Sequence, residues 1–533
     1  MTGIELYDTT LRDGMQGEGM SLSAREKVRV AHRLDDLGID LIEAGFPSSN
    51  PKELELFELL AGEHFQHAQI AAFGMTRRRD LRAQDDPALQ ILADCFAPVC
   101  TIVGKTWSLH LEKVVKVDPA ENLSMISESI AFLVGCGKRV IYDAEHFFDG
   151  FREDPEYALA CVRAAAQAGA ETVTCCDTNG GTLPDAIADA MRAVVAALAG
   201  TGVHVGIHCH DDAGCAVACT LAAVREGATH VQGTQNGYGE RCGNANLTTL
   251  VANLQLKLGY DCVTTEQLRD LTSSAHFFDE LLNFTPNPDQ PYVGRNAFAH
   301  KGGMHIAGVT ADPSTFEHID PDQVGNSRDL LVSELSGKGT IRARAQEAGI
   351  RLDDAATSRL IEQVKQREHE GYHYEAADGS FELLLRKESG DYTPLFTLES
   401  WRVTAEKRAD GRVETEATIK LWVDGERYVF TAEGNGPVSA LDRALRGALT
   451  RVYPELDTIK LINFKVRILD GAKASDAITR VLLDSTDGNR EWGAIGVSTN
   501  VIEASWEALV ESLEHGMQVG RLASSPAGAR SSK

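Results

Sequence analysis

Eight short β-branched runs, each followed by a longer amphipathic stretch, fill the first half of the chain, and that alternation admits few folds. The candidate strands are Ile4–Asp8, Leu41–Gly45, Gln69–Phe73, Cys100–Val103, Arg139–Asp143, Thr172–Cys176, Val203–His208 and His230–Thr234. Helical patterns lie between them, among them Ala24–Leu37, Asn122–Val134, Pro155–Ala168 and Pro184–Leu198. Ser23 with Glu26 three residues on forms a capping box for the first helix. Asp154–Pro155 and Leu183–Pro184 put proline where the first turn of a helix tolerates it. Short strands separated by helices make parallel βα units. Eight such units in about 250 residues predict an α/β protein with a closed (β/α)8 TIM barrel over residues 1–270; an open doubly wound sheet is the alternative.

The polar residues favour the barrel. Each strand is apolar until its end and then releases functional side chains, as barrel enzymes do at the C-terminal face. Strand one leads to Asp8, Arg12 and Asp13, strand two to Glu43, and strand five to Glu145 and His146. Strand six leads to Asp177, Thr178 and Asn179, strand seven to His208, His210 and Asp211, and strand eight to Gln235 and Asn236.

Beyond the barrel the texture changes. Residues 271–392 carry Pro/Gly punctuation (NFTPNPDQPYVGRN) and a polar helical stretch, Ala355–Glu370, and read as a linker with small helical subdomains. From about Thr393 two similar βββα patterns follow: Phe396–Val438 into the helix Ser439–Val452, then Ile459–Thr499 into Asn500–His515. This predicts a duplicated α+β domain over residues 393–516. The Ser/Ala/Gly/Arg-rich tail, residues 517–533, is expected to be disordered.

Composition excludes some partners. Lysine and arginine number 52 against 78 acidic residues, and a net charge of −26 repels nucleic-acid phosphates. No apolar run approaches the ~18–20 residues needed to span a bilayer, and the N-terminus lacks the regions of a signal peptide. No nucleic-acid or membrane partner and a cytoplasmic location are therefore expected. The eleven cysteines, all between Cys95 and Cys262 and without a CxxC pair, are expected to be buried free thiols.

The segment Ile207–Asp212 (IHCHDD) is the most informative. Residues two apart on a strand point to one face, so His208 and His210 can meet at one ion. In a closed barrel strand eight lies between strands seven and one, which brings Asp13 and Asn244 to the same place. One carboxylate, two imidazoles and one amide oxygen suit Mg²⁺, Mn²⁺ or a catalytic Zn²⁺. Such a site leaves two positions for a chelating 2-oxo acid. Gly237–Gly243 (GYGERCG) does not have the spacing of a dinucleotide fingerprint and reads as the loop that carries Asn244.

Longer motifs carry a resemblance. DTTLRDGMQGEG, DAEHFFDGF, CDTNGGTLP, HCHDDAG, QGTQNGYGERCGNAN and AHKGGMHIAGV resemble the 2-isopropylmalate, homocitrate and citramalate synthases. HIDPDQVGNSRDLLVSELSGKG, GNGPVSALDRALR and STDGNREWGAIGVSTNVIEASWEAL extend it over nearly the whole chain, and AEHFFDG, NGYGERCGNAN and VSELSG are most similar to the citramalate branch. The resemblance implies Asp13, His208, His210 and Asn244 as ligands of a divalent metal ion. It implies Arg12 and Thr178 as substrate contacts, with Arg12 on the 2-oxo acid's oxygen, and Glu145 and His305 in proton transfer. His305, beyond the barrel, would serve the active site of a partner subunit, so a homodimer is implied. Phe316 stands where relatives commonly have tyrosine, and EAGFPSSNP also departs from the branch's form.

The implied reaction is a Claisen condensation of acetyl-CoA with pyruvate and water, giving citramalate and CoA for isoleucine synthesis. With 2-oxoisovalerate instead, the product would be 2-isopropylmalate for leucine synthesis. The duplicated module would then be regulatory, with isoleucine (or leucine) as effector. Two rivals are a lyase, disfavoured by residues 393–515, and a weakly active regulatory paralogue, supported by Phe316 alone.

Overall fold

The computed structural model describes residues 3–330, 337–469 and 477–524. Residues 332–336 of the VSELSG motif and 525–533 of the tail lie outside them.

The eight expected strands form: β1 (Glu5–Asp8), β2 (Leu41–Gly45), β3 (Gln69–Met75), β4 (Val99–Lys105), β5 (Arg139–Glu145), β6 (Thr172–Asp177), β7 (His204–Cys209) and β8 (His230–Gly233). They close into a parallel barrel in sequence order, with β1 paired to both β2 and β8, so the open sheet is excluded. The helices Ala24–Asp36, Pro119–Gly135, Pro155–Gln167 and Pro184–Ala197 agree with the apolar periodicity to within a turn. The Ser23–Glu26 capping box is present in both directions, which satisfies two backbone donors at the helix start. Inside the barrel a small layer of Tyr7, Leu41, Ala71, Val99 and Ile141 fills the axis. A larger core of helix-facing side chains surrounds the strands. The interior is packed, so chemistry is confined to the rim.

The chain forms two compact units: residues 1–298 with 319–328, and 299–318 with 329–533. The barrel unit extends past residue 270 because the helix Leu271–Leu281 buries Leu271, Ala275 and Phe278 in the barrel core. The second unit begins with a two-stranded pair, β9 (Ala299–His300) and β10 (Asp329–Leu330). The polar stretch in the linker forms the helix Asp354–His369. Two antiparallel sheets follow: β11 (Thr397–Lys407), β12 (Val413–Val423) and β13 (Glu426–Gly434), then β14 (Lys460–Ile468), β15 (Thr479–Thr486) and β16 (Glu491–Ser498). Helix Pro437–Leu449 packs on the first and helix Val501–Ser524 on the second, so the βββα pattern does occur twice. The last helix continues to Ser524, which shortens the expected tail. Its amphipathic pattern keeps Leu509, Leu513 and Met517 in the core and carries the helix past residue 516.

All eleven cysteines are free, six of them buried, while Cys136 and Cys242 are exposed. No helix among the described residues is long and apolar enough to cross a membrane.

A buried carboxyl at the end of β1 gives the barrel a pH dependence. Asp8 accepts hydrogen bonds from the Thr10 amide (2.8 Å), Thr10 Oγ1 (3.0 Å) and Gln235 Nε2 (3.1 Å). Burial outweighs these donors and pushes it up to about 7. A carboxyl whose folded value exceeds its unfolded one, ~3.9, holds its extra proton in the folded state. Its contribution to stability is complete below the unfolded value and is lost as pH rises through about 7. Asp8→Asn is expected to remove that slope: from pH 5 to pH 8 the wild type loses thermal stability relative to the variant. Parallel melting curves at both pH values would rule this out.

Candidate active site

The site is built where β1, β7 and β8 end side by side. After Asp8 the chain enters a tight helical turn in which the amides of Asp13 and Gly14 donate to Thr9 O at 2.9 and 3.0 Å. That turn folds Asp13 back over the barrel mouth. His208 lies on β7 and His210 one residue beyond it, where it forms a β-bridge with Asn244. Asp13 Oδ2 lies 3.2 Å from His208 Nε2 and 3.7 Å from His210 Nε2. One donor atom from each of the three falls within 4.8 Å of the others. All three residues and Asn244 are buried.

The hydrogen bonds leave the right atoms free for a cation. Gln232 Nε2 donates to Asp143 Oδ1 (3.0 Å), so its Oε1 faces His208 Nδ1 at 2.9 Å and fixes the proton on Nδ1. Nε2 faces the Asp13 carboxylate; burial opposes charging the ring, yet Asp13 outweighs it and raises the His208 imidazole above its ordinary value, so a proton holds the place between them that a metal cation would take. Asn244 Nδ2 donates to Tyr238 O (3.2 Å), leaving its buried Oδ1 without a partner. Burial opposes ionisation of Asp13, yet Arg12, His208 and His210 outweigh it and hold its carboxyl below the usual range. Burial, with His208 beside it, lowers His210 to about 4, which keeps that imidazole neutral. A carboxylate, two imidazole nitrogens and an orphaned amide oxygen fit a divalent ion, which displaces the His208 proton on binding.

The glycine loop is a steric necessity at one point. Gly243 has φ +91°, and a Cβ there would stand 2.0 Å from Gly237 O. Only glycine lets the loop double back so that the Asn244 amide reaches Gly237 O at 3.1 Å.

Arg12 is held from two sides. Its Nε donates to Glu43 Oε2 at 2.7 Å, and its guanidinium lies 4.1 Å above the Phe73 ring. Glu43 is buried and also accepts from Tyr7 (2.8 Å) and Thr9 hydroxyls. It projects here through an irregularity between Glu43 and Gly45, where β2 shifts register against β3. Glu145 ends β5 and pairs with Lys105 at the end of β4. Thr178 Oγ1 accepts from the His146 amide at 2.9 Å, so its oxygen is occupied locally while its hydroxyl proton remains available. A cavity of about 350 Å³ is lined by Arg12, Asp13, Glu145, Thr178, His208 and His210, together with Lys105, Phe73, Met75 and Val103.

Six of the expected site residues therefore meet at this rim, and Asn244 adjoins them through its bridge to His210. His305 sits on the helix Gly303–Ala311 of the second unit, exposed, its ring stacked 4.3 Å from Phe316. Sequence reasoning missed Lys105 and Gln232. Strand register exposes both, because Lys105 pairs with Glu145 and His208 with Gln232 across neighbouring strands. Gln232→Leu, which keeps the volume and removes the acceptor, is expected to weaken metal affinity by about 10–100-fold. Titration of the metal-free protein with Mn²⁺ checks this, and an unaltered affinity would show that Gln232 does not orient His208.

This fold and site define a class, the HMGL-like barrels, whose family profile matches residues 3–275. A homocitrate synthase post-HMGL domain-like profile matches 292–371, and a LeuA allosteric (dimerisation) domain profile matches 375–517. The chain is 50% identical over 517 residues to an (R)-citramalate synthase of Streptomyces coelicolor, covering 96% of each. It is 48% identical over 529 residues to one of Synechocystis sp., covering 97% of each. A 2-isopropylmalate synthase of Pyrococcus furiosus is 31% identical over 514 residues, 96% of this chain and 98% of that one. The chain belongs to the (R)-citramalate synthase family.

Proposed function

We propose that this protein condenses acetyl-CoA with pyruvate and water to citramalate and CoA, in a reaction that depends on a divalent metal ion. The observation that carries the reading is the convergence of Asp13, His208 and His210 beside Arg12, in a chain 50% identical end to end to an (R)-citramalate synthase.

When bound by Asp13, His208, His210 and Asn244, an Mg²⁺, Mn²⁺ or Zn²⁺ ion supplies Lewis-acid polarisation of the 2-oxo acid's carbonyl. The rest falls to the chain. Arg12, its Nε committed to Glu43, offers its terminal nitrogens, one of which also stands 3.6 Å from Asp13 Oδ2, to the oxygen on which negative charge develops as the C–C bond forms. The methyl of a thioester is a very weak acid, and its proton needs a positioned base. Glu145, beside Lys105 at the same rim, is the candidate on this chain. The Thr178 hydroxyl, free to donate, is a contact for the substrate carboxylate. Phe73, Met75 and Val103 form the apolar wall against which a methyl group fits. In a homodimer the KGGMH segment of one copy would reach the barrel of the other, with His305 as the second proton-transfer group. Isoleucine is the effector to test on the C-terminal domain.

The test is release of CoA thiol. Thiol appears only with both acetyl-CoA and a 2-oxo acid present, stops on chelation and returns with Mg²⁺ or Mn²⁺. Release indifferent to the 2-oxo acid would make this a thioesterase, and release indifferent to chelation would remove the metal from the account.

A further inference from the structure

The apolar layer that fills the barrel axis is drawn from β1 to β5. From β6, β7 and β8 come polar side chains instead: Thr174, His208, His230 and Gln232, all buried. Three of them, with Glu5 at the start of β1, make one hydrogen-bonded line from the end of the barrel opposite the metal site to the metal site itself. Glu5 Oε2 lies 2.7 Å from His230 Nδ1, His230 Nε2 lies 3.3 Å from Gln232 Nε2, and Gln232 Oε1 lies 2.9 Å from His208 Nδ1.

The line has a direction. Burial opposes ionisation of Glu5, yet His230 and Arg139 outweigh it and hold its carboxyl below the usual range. A carboxylate only accepts, so the His230 hydrogen sits on Nδ1 and Nε2 of the neutral ring is an acceptor. Gln232 Nε2 has two hydrogens to give: one goes to Asp143 Oδ1 (3.0 Å), the other to His230 Nε2, with Thr174 Oγ1 3.3 Å away. With its nitrogen so occupied, the amide turns its oxygen to His208. The other tautomer of His230 would set two donors face to face. It would favour turning the amide over, which would put an NH2 against the Nδ1 hydrogen of His208.

The ring has little freedom to escape this role. Gly206 pairs with His230 across β7 and β8, and a Cβ there would stand 2.8 Å from His230 Cδ2 and 2.6 Å from Thr174 Oγ1. Tyr7 packs 5.2 Å from the imidazole. Glu5 is itself steadied by Arg139, 3.4 Å away, which Glu171 holds in turn.

We propose that His230, its tautomer set by Glu5, is a positioning residue for the metal ligand His208 and acts on it through the Gln232 amide, from the far end of the barrel. This rests on the reading of His208 as a metal ligand. It gives two residues remote from the rim, where a barrel ordinarily keeps only its stability, a part in metal affinity.

The experiment is titration of the metal-free, full-length protein with Mn²⁺, which needs no turnover. His230→Phe, which keeps a buried ring and removes both nitrogens, is expected to raise the Mn²⁺ dissociation constant about tenfold, the low end for loss of a group that orients a ligand. His230→Gln, whose amide can donate to Glu5 and accept from Gln232, is expected to stay within about threefold of the wild type. Glu5→Leu changes a side chain that is 30% exposed and is expected to raise the constant about threefold or more, which keeps the test should His230→Phe fail to fold. In a Gln232→Leu background, His230→Phe is expected to add less than about twofold, because its route to His208 is already cut; a merely structural loss would add in full. Full additivity, or an unchanged constant in His230→Phe or Glu5→Leu, overturns the inference and leaves the metal site standing. No Mn²⁺ binding by the wild type would remove the metal site itself, and the inference with it.

Discussion

His208→Ala is expected to lower the condensation rate by about a thousandfold or more, with the barrel still folded. The imidazole ends β7 with Nε2 3.2 Å from Asp13 Oδ2, and Gln232 fixes its tautomer from behind. Without it, Asp13, His210 and Asn244 retain three donor atoms of the four. Metal polarisation of a carbonyl contributes several kcal/mol, and each ~1.4 kcal/mol is tenfold in rate, which sets the scale. The position is at the rim rather than in the apolar core, so the melting temperature should move by only a few degrees. Mn²⁺ titration and thiol release on one preparation check both halves. A variant that binds metal as tightly as wild type would remove His208 from the ligand set.

Arg12→Ala is expected to show two separable losses. One is catalytic, about 10²–10³ in kcat, the usual consequence of removing one donor from a developing oxyanion. The other is structural. Glu43 is buried and would keep only the Tyr7 and Thr9 hydroxyls, and an uncompensated buried charge costs roughly 3–5 kcal/mol. Arg12→Ala/Glu43→Gln should recover most of the stability and none of the rate. Arg12→Lys should recover neither fully, because one ammonium cannot both pair with Glu43 and serve the cavity. Thermal unfolding and kcat measured on the three variants separate the effects. Recovery of rate in the double variant would mean that Arg12 acts only by balancing Glu43.

Much of this site was legible before any coordinates. The eight strands declare themselves because barrel strands are buried on both sides and read as unbroken apolar runs, and their ends declare themselves because polarity returns there. His208 and His210 follow from the two-residue repeat of a strand, and Asp13 and Asn244 from barrel closure. Contacts that depend on register were not legible. Lys105 lies forty residues from Glu145 and Gln232 twenty-four from His208, and neither spacing shows that the pairs face each other. Glu43 was visible as a strand end, but its grip on Arg12 depends on a local irregularity in β2. The domain boundary at residue 270 fell early because a Pro/Gly-rich stretch looks like a linker, while the helix before it, Leu271–Leu281, is held by the barrel core. His305 was legible as part of a motif and sits in the second unit, a placement that strand and helix patterns do not reach.

Discrimination between 2-oxo acids tests the central claim most directly. With saturating acetyl-CoA and Mg²⁺ or Mn²⁺, thiol release is followed with pyruvate and with 2-oxoisovalerate in parallel, and each product is identified by mass. One methylene in an apolar pocket is worth about 10–200-fold, so kcat/KM is expected to favour pyruvate by at least ten, with citramalate as product. A preference for the branched acid, or no release with either, would contradict the account.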